Sequence, residues 1–66
     1  MTIEEKIETL FYDLYVDLNA WEKDFISKVH EGIDGLDGIT DQDIGEYLTP
    51  RQIEKVQEIF ERVGII

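Results

Sequence analysis

The chain has 66 residues, sixteen Asp and Glu against six Lys and Arg, a net charge of −10 and no cysteine. That length holds one domain, so residues 1–66 read as a single helical unit, and the lack of cysteine excludes a disulfide staple, thiol chemistry and a Cys-based zinc site. The basic residues are scattered and mostly have an acid three or four positions away; this disfavours direct binding to DNA, RNA or an anionic membrane, which select a basic patch, and leaves attraction to basic protein surfaces.

A chain this short buries only ~60% of the surface its unfolded form exposes, and its core supplies about 3–5 kcal/mol. Support must therefore come from good helix packing or from self-association. The opening residues, Met1-Thr2-Ile3-Glu4-Glu5-Lys6, are acidic where a secretory signal is basic. No apolar run approaches the ~20 residues of a membrane span, so the expected location is the cytoplasm.

Capping patterns punctuate the chain. Thr2-Ile3-Glu4-Glu5 fits a capping box, in which the Thr oxygen accepts from the third amide and Glu5 reaches back. Apolar residues then fall at Ile3, Ile7, Leu10, Phe11, Leu14 and Leu18, predicting a first helix over about 3–18. Asn19-Ala20-Trp21-Glu22 is a second start, followed by Trp21, Phe25, Ile26 and Val29, with Gly32 as a left-handed terminator; the second helix is expected at about 20–31. An uninterrupted helix through Asn19 is the competing reading.

Residues 32–40 form a Gly- and Asp-rich loop in which Ile33, Leu36 and Ile39 recur every third position and should pin it to the core. Thr40 then opens a helical turn over about 41–48. Thr49-Pro50-Arg51-Gln52 combines a cap, a proline at the first helical position and a closing Gln, so the last helix is expected at about 50–63, with Ile53, Val56, Phe60 and Val63 inward and Gly64 as its end. No segment alternates like a strand, the terminal Ile65-Ile66 included. The expected fold class is all-α, a small bundle of three to four helices.

Few residues suggest chemistry. An EF-hand loop needs acids at positions 1, 3 and 5, Gly at 6, an apolar residue at 8 and Glu at 12. Placing Gly38 at position 6 leaves Ile33 at 1, Gly35 at 3 and Ile44 at 12; placing Ile39 at position 8 puts Gly32 first, Asp43 last and Asp37 where Gly is required. Both alignments fail, and a loop that caps the next helix is preferred. His30 is the only histidine and cannot build a transition-metal site without cysteines. Ser27, Thr9, Thr40 and Thr49 have no obvious base, and the glycines do not follow a strand. No enzyme activity, metal or cofactor is expected.

On an ideal helix Ile3, Ile7, Leu10, Leu14 and Leu18 share one side, while Tyr12, Tyr15 and Val16 point away, among Glu4, Glu5 and Glu8. Either the first helix is central and packs on both sides, or Glu4, Glu5, Glu8, Tyr12, Asp13, Tyr15 and Asp17 form a partner-binding face. Tyrosine suits such a face, having contact area and a hydroxyl at low entropy cost. The alternative use of that face is self-association into a homodimer. Trp21, in a stripe with Phe25 and Val29, is expected in the core.

Leu18-Asn-Ala-Trp21-Glu22-Lys-Asp-Phe25-Ile26-Ser27, followed by Leu48-Thr49-Pro50-Arg51-Gln52-Ile53 and by Val56-x-x-Ile59-Phe60-x-Arg62-Val63, resembles a pattern of small phage-encoded helical proteins, Leu-x-x-Trp-Glu-x-x-Phe-Ile then Leu-Thr-x-x-Gln. It covers roughly half of the chain, in caps and core positions, so it implies a helical fold and carries no catalytic residue across. By type, size and charge resemble phage inhibitors such as anti-CRISPR proteins and DNA mimics, which place carboxylates where phosphates would sit. This resemblance implies a protein partner with a basic, nucleic-acid-binding surface, met in the host cytoplasm.

Overall fold

The computed structural model describes residues 1–36 and 38–64. Asp37, weighed above for calcium, and Ile65-Ile66 lie outside the described residues. The chain folds as three α-helices, α1 (Ile3–Tyr12), α2 (Ala20–Gly32) and α3 (Pro50–Gly64), with single 3₁₀ turns at Tyr15–Asp17 and Ile44–Glu46. No strand occurs among the described residues, and no described helix is long and apolar enough to cross a membrane. The expected all-α bundle is the fold observed.

Its helix starts follow from local chemistry. Glu5 N–H donates to Thr2 Oγ1 at 3.1 Å and Thr2 N–H to Glu5 Oε1 at 2.9 Å. The Asn19–Glu22 pair repeats the exchange at 2.8 and 3.0 Å, which settles that α2 begins after Asn19. Thr49 and Gln52 close the third box at 3.2 and 2.8 Å. Each box satisfies amides that a helix start leaves unpaired.

The first helix is shorter than 3–18. It stops at Tyr12, where the amides of Asp13 and Leu14 both bond to the Thr9 carbonyl, and the chain passes into the 3₁₀ turn. Tyr12-Asp13 and Tyr15-Val16-Asp17 are poor helix formers. Two aspartates near the negative end of the α1 dipole, with no basic residue in its last turn, further oppose continuation. The break lets Leu18 return to the core while Leu14 and Tyr15 pack against it.

In the core, α1 supplies Ile3, Ile7 and Leu10, α2 supplies Ile26 and Val29, and α3 supplies Val56 and Ile59; Leu18, Ile33, Ile39, Ile44 and Leu48 close it from the connections. Helix α1 packs against both other helices, which touch each other less, so it is central in the bundle.

Four local expectations are corrected. The buried positions of α2 are Glu22, Ile26 and Val29, one step round the helix from the Trp21–Phe25 line, and Trp21 is 56% exposed. Gly32 does not take the left-handed conformation, and α2 ends by Ile33 N–H bonding to the His30 carbonyl; the glycines with positive φ are Gly35 (84°) and Gly38 (69°), which shape the loop instead. Of the three residues expected to pin that loop, Ile33 and Ile39 are buried and Leu36 is exposed. The turn expected at about 41–48 narrows to turn residues 41–43 and the 3₁₀ turn Ile44–Glu46.

Candidate functional site

The acids at the start of α1 meet the loop from the other half of the chain. Asp41 Oδ1 accepts the Ile3 amide at 2.7 Å, a contact across 38 positions. This brings Thr2, Glu4, Glu5 and Glu8 together with Gly38, Ile39, Thr40 and Asp41 around one open depression. A second depression adjoins it, lined by Met1, Glu5, Glu8, Thr9, Tyr12 and Asp13. Glu5 and Glu8 belong to both, so the two form one continuous acidic face. Among their lining residues there is no Lys or Arg.

Several of these carboxylates are held in place. The Thr2 backbone amide, and then its hydroxyl, hold the Glu5 carboxyl below the usual carboxylate range. Asp41 is fixed by the helix start it caps. Glu4 is only 8% exposed, and its Oε2 is removed from water with no hydrogen-bond partner among the described residues. Tyr12, 67% exposed, stands at the far end, steadied by edge contacts with Phe11 (5.0 Å) and His30 (5.4 Å). His30 itself stacks on Phe11 at 4.1 Å, so the only histidine serves packing between α1 and α2.

Of the seven residues expected in a binding face, Glu4, Glu5, Glu8, Tyr12 and Asp13 line this surface. Tyr15 and Asp17 line neither depression. Because the helix breaks after Tyr12, Tyr15 turns towards α2, its hydroxyl 3.2 Å from Ser27 Oγ and its ring 5.6 Å from Lys23 Nζ. Sequence reasoning missed Asp41, which carries no local mark of its contact with Ile3.

A second surface lies between α2 and α3. Trp21 stacks parallel to Phe25 at 5.3 Å beside Arg51, Gln52, Glu54, Lys55 and Glu58. Lys55 stands over the indole at 5.3 Å and pairs with Glu58 at 3.3 Å, so the charges here largely answer each other. Above it, Arg62 donates to Glu22 Oε1. Burial pulls the Glu22 carboxyl upward, but the Asn19 amide and the Arg62 guanidinium outweigh it and hold the group below its ordinary value.

No three Asp, Glu or His side chains among the described residues come together as metal ligands. In comparisons with known proteins, no family model, no curated protein and no solved structure matches this chain.

Proposed function

We propose that the chain acts by binding rather than by catalysis, and that its partner is a protein with a basic surface held against the α1 face. One observation carries the reading: Glu4, Glu5, Glu8, Asp13 and Asp41 line a continuous surface whose lining includes no Lys or Arg, on a chain of net charge −10. The Met1 amino group is a cation at the edge of this lining, but the acids outnumber it. Predominantly negative charge on a shaped surface steers an oppositely charged partner and suppresses wrong ones. In its sharpest form the partner surface is one that otherwise holds nucleic acid, and the chain is a phage inhibitor that stands in for phosphates in a host cytoplasm. The resemblance in helix caps and the analogy of type support that form.

Titration of the ¹⁵N-labelled chain with an octa-arginine peptide tests the reading. Amide shifts should concentrate at Glu4, Glu5, Glu8, Tyr12, Asp13 and Asp41 in low salt and collapse in high salt, as screening demands. Shifts centred on Trp21 and Lys55, or unaffected by salt, would contradict it.

Self-association is a second reading, favoured by Tyr12 and by Val16, which is 83% exposed. Sedimentation equilibrium separates the two. A concentration-independent monomer leaves the face free for another protein, whereas a tight dimer at both low and high salt assigns it to a second copy.

A further inference from the structure

The feature that diffuse surface charge does not explain is Glu4. An acid on a helix start is ordinarily solvated, and a buried carboxylate oxygen without a donor is costly. Yet Glu4 lines the same depression as Glu5, Glu8 and Asp41, nine-tenths withdrawn from water, with Oε2 unpartnered among the described residues. Asp41 commits Oδ1 to the Ile3 amide and Glu5 commits Oε1 to the Thr2 amide, so each keeps a second oxygen for an incoming donor and neither carboxylate must be ordered on binding.

We propose that this depression receives one arginine side chain of the partner protein, with Glu4 as its most buried acceptor and Glu5, Glu8 and Asp41 around it. The inference rests on the acidic-face reading and makes it specific. The volume of about 490 Å³ is ample for a guanidinium and its stem. Among the described residues the carboxylates surround an open space and no three converge as metal ligands, which suits a planar cation with five donors better than a compact ammonium. Fixed acceptors lower the ordering cost of such a contact.

The test measures octa-arginine and octa-lysine binding by fluorescence anisotropy in low salt, for the wild-type chain and for Glu4→Gln and Asp17→Asn. Both variants remove one negative charge, but Asp17 lines neither depression. Glu4→Gln should weaken octa-arginine binding at least about tenfold and Asp17→Asn about twofold or less, since loss of a desolvated partner costs far more than loss of an exposed charge. Octa-lysine should bind the wild-type chain more weakly than octa-arginine, with the gap narrowing in Glu4→Gln. Circular dichroism checks each fold; should Glu4→Gln unfold, Glu8→Gln takes its place and must weaken binding more than Asp17→Asn. Equal losses in the glutamate variant and Asp17→Asn would overturn the arginine site; the acidic face would then stand only if the wild-type amide shifts still concentrate at Glu5, Glu8, Asp13 and Asp41. No salt-sensitive binding of octa-arginine would overturn both. Displacement of the peptide by calcium, beyond that by sodium chloride at matched ionic strength, would overturn the arginine site in favour of a metal.

Discussion

The Ile3 amide and the Asp41 carboxylate, 38 positions apart, meet at 2.7 Å. Thr2 and Asp41 thus cap the same helix, one from beside it in sequence and one from the connection before α3, Thr2 taking the Glu5 amide and Asp41 the first helical one. The contact ties the loop before Ile44 to α1 and builds one wall of the acidic depression.

Removing that acceptor should be felt in stability. Asp41→Ala is expected to cost about 1–2 kcal/mol, the range for a lost helix cap. Asp41→Asn, which retains an acceptor oxygen, should cost less, and Asp43→Ala, an exposed acid whose side chain caps nothing, should stay within about 0.5 kcal/mol. Urea unfolding of the three variants reads the difference. Equal effects at 41 and 43 would remove the anchoring role.

Glu22 and Arg62 join the start of α2 to the end of α3. Because the folded pKa of Glu22 is depressed, its contribution is complete above the unfolded carboxylate value of 4.5 and is lost as pH falls through the lower folded value. Glu22→Gln keeps an acceptor for the Asn19 amide but loses the charge. It should cost about 1 kcal/mol at pH 7, the ion pair being discounted for the half-exposed Arg62 side chain. Its stability should converge on wild type as pH drops from about 5 towards 2. Parallel curves over that interval would show that Glu22 titrates alike in both states.

The register of α2 is testable by its tryptophan. Ile26→Ala should cost about 2–5 kcal/mol, enough to unfold much of a domain whose core supplies about 3–5 kcal/mol. Trp21→Ala should cost about 1 kcal/mol or less, having lost only a stack on Phe25 and a cation above it. Wild-type indole fluorescence should be readily quenched by acrylamide. A protected indole, or the reverse order of the two costs, would restore Trp21 to the core.

The contrast between helix starts and helix faces shows what could be read before the structure. Thr2, Asn19 and Thr49 were legible because a capping box spans four residues and needs nothing from elsewhere. The all-α class and most apolar positions followed from 3.6-residue spacing. The end of α1 was harder: Leu14 and Leu18 continue its apolar stripe, and only the acids at 13 and 17 hint that the chain leaves the helix. In α2 the stripe through Trp21 outweighed the one through Glu22 because an acid in a core position is intelligible only beside Arg62, forty positions away. The candidate face was partly legible for the same reason. Glu4, Glu5, Glu8, Tyr12 and Asp13 lie along one helix and its C-cap, whereas Tyr15 depended on the helix break and Asp41 on a tertiary contact.

The central claim is that the α1 face, and not net charge alone, holds a basic partner. Its most direct test compares two charge-matched triple variants, each of net charge −7 by removal of three acids from −10. Glu5→Gln, Glu8→Gln and Asp13→Asn remove three of the five acids of the face; Asp34→Asn, Glu54→Gln and Glu61→Gln remove exposed acids that line neither depression. Octa-arginine affinity in low salt, measured by calorimetry, should fall about tenfold in the first and about threefold or less in the second, given a few tenths to 1 kcal/mol per exposed pair. Equal losses would mean that the peptide answers to total charge and that the face is not a site.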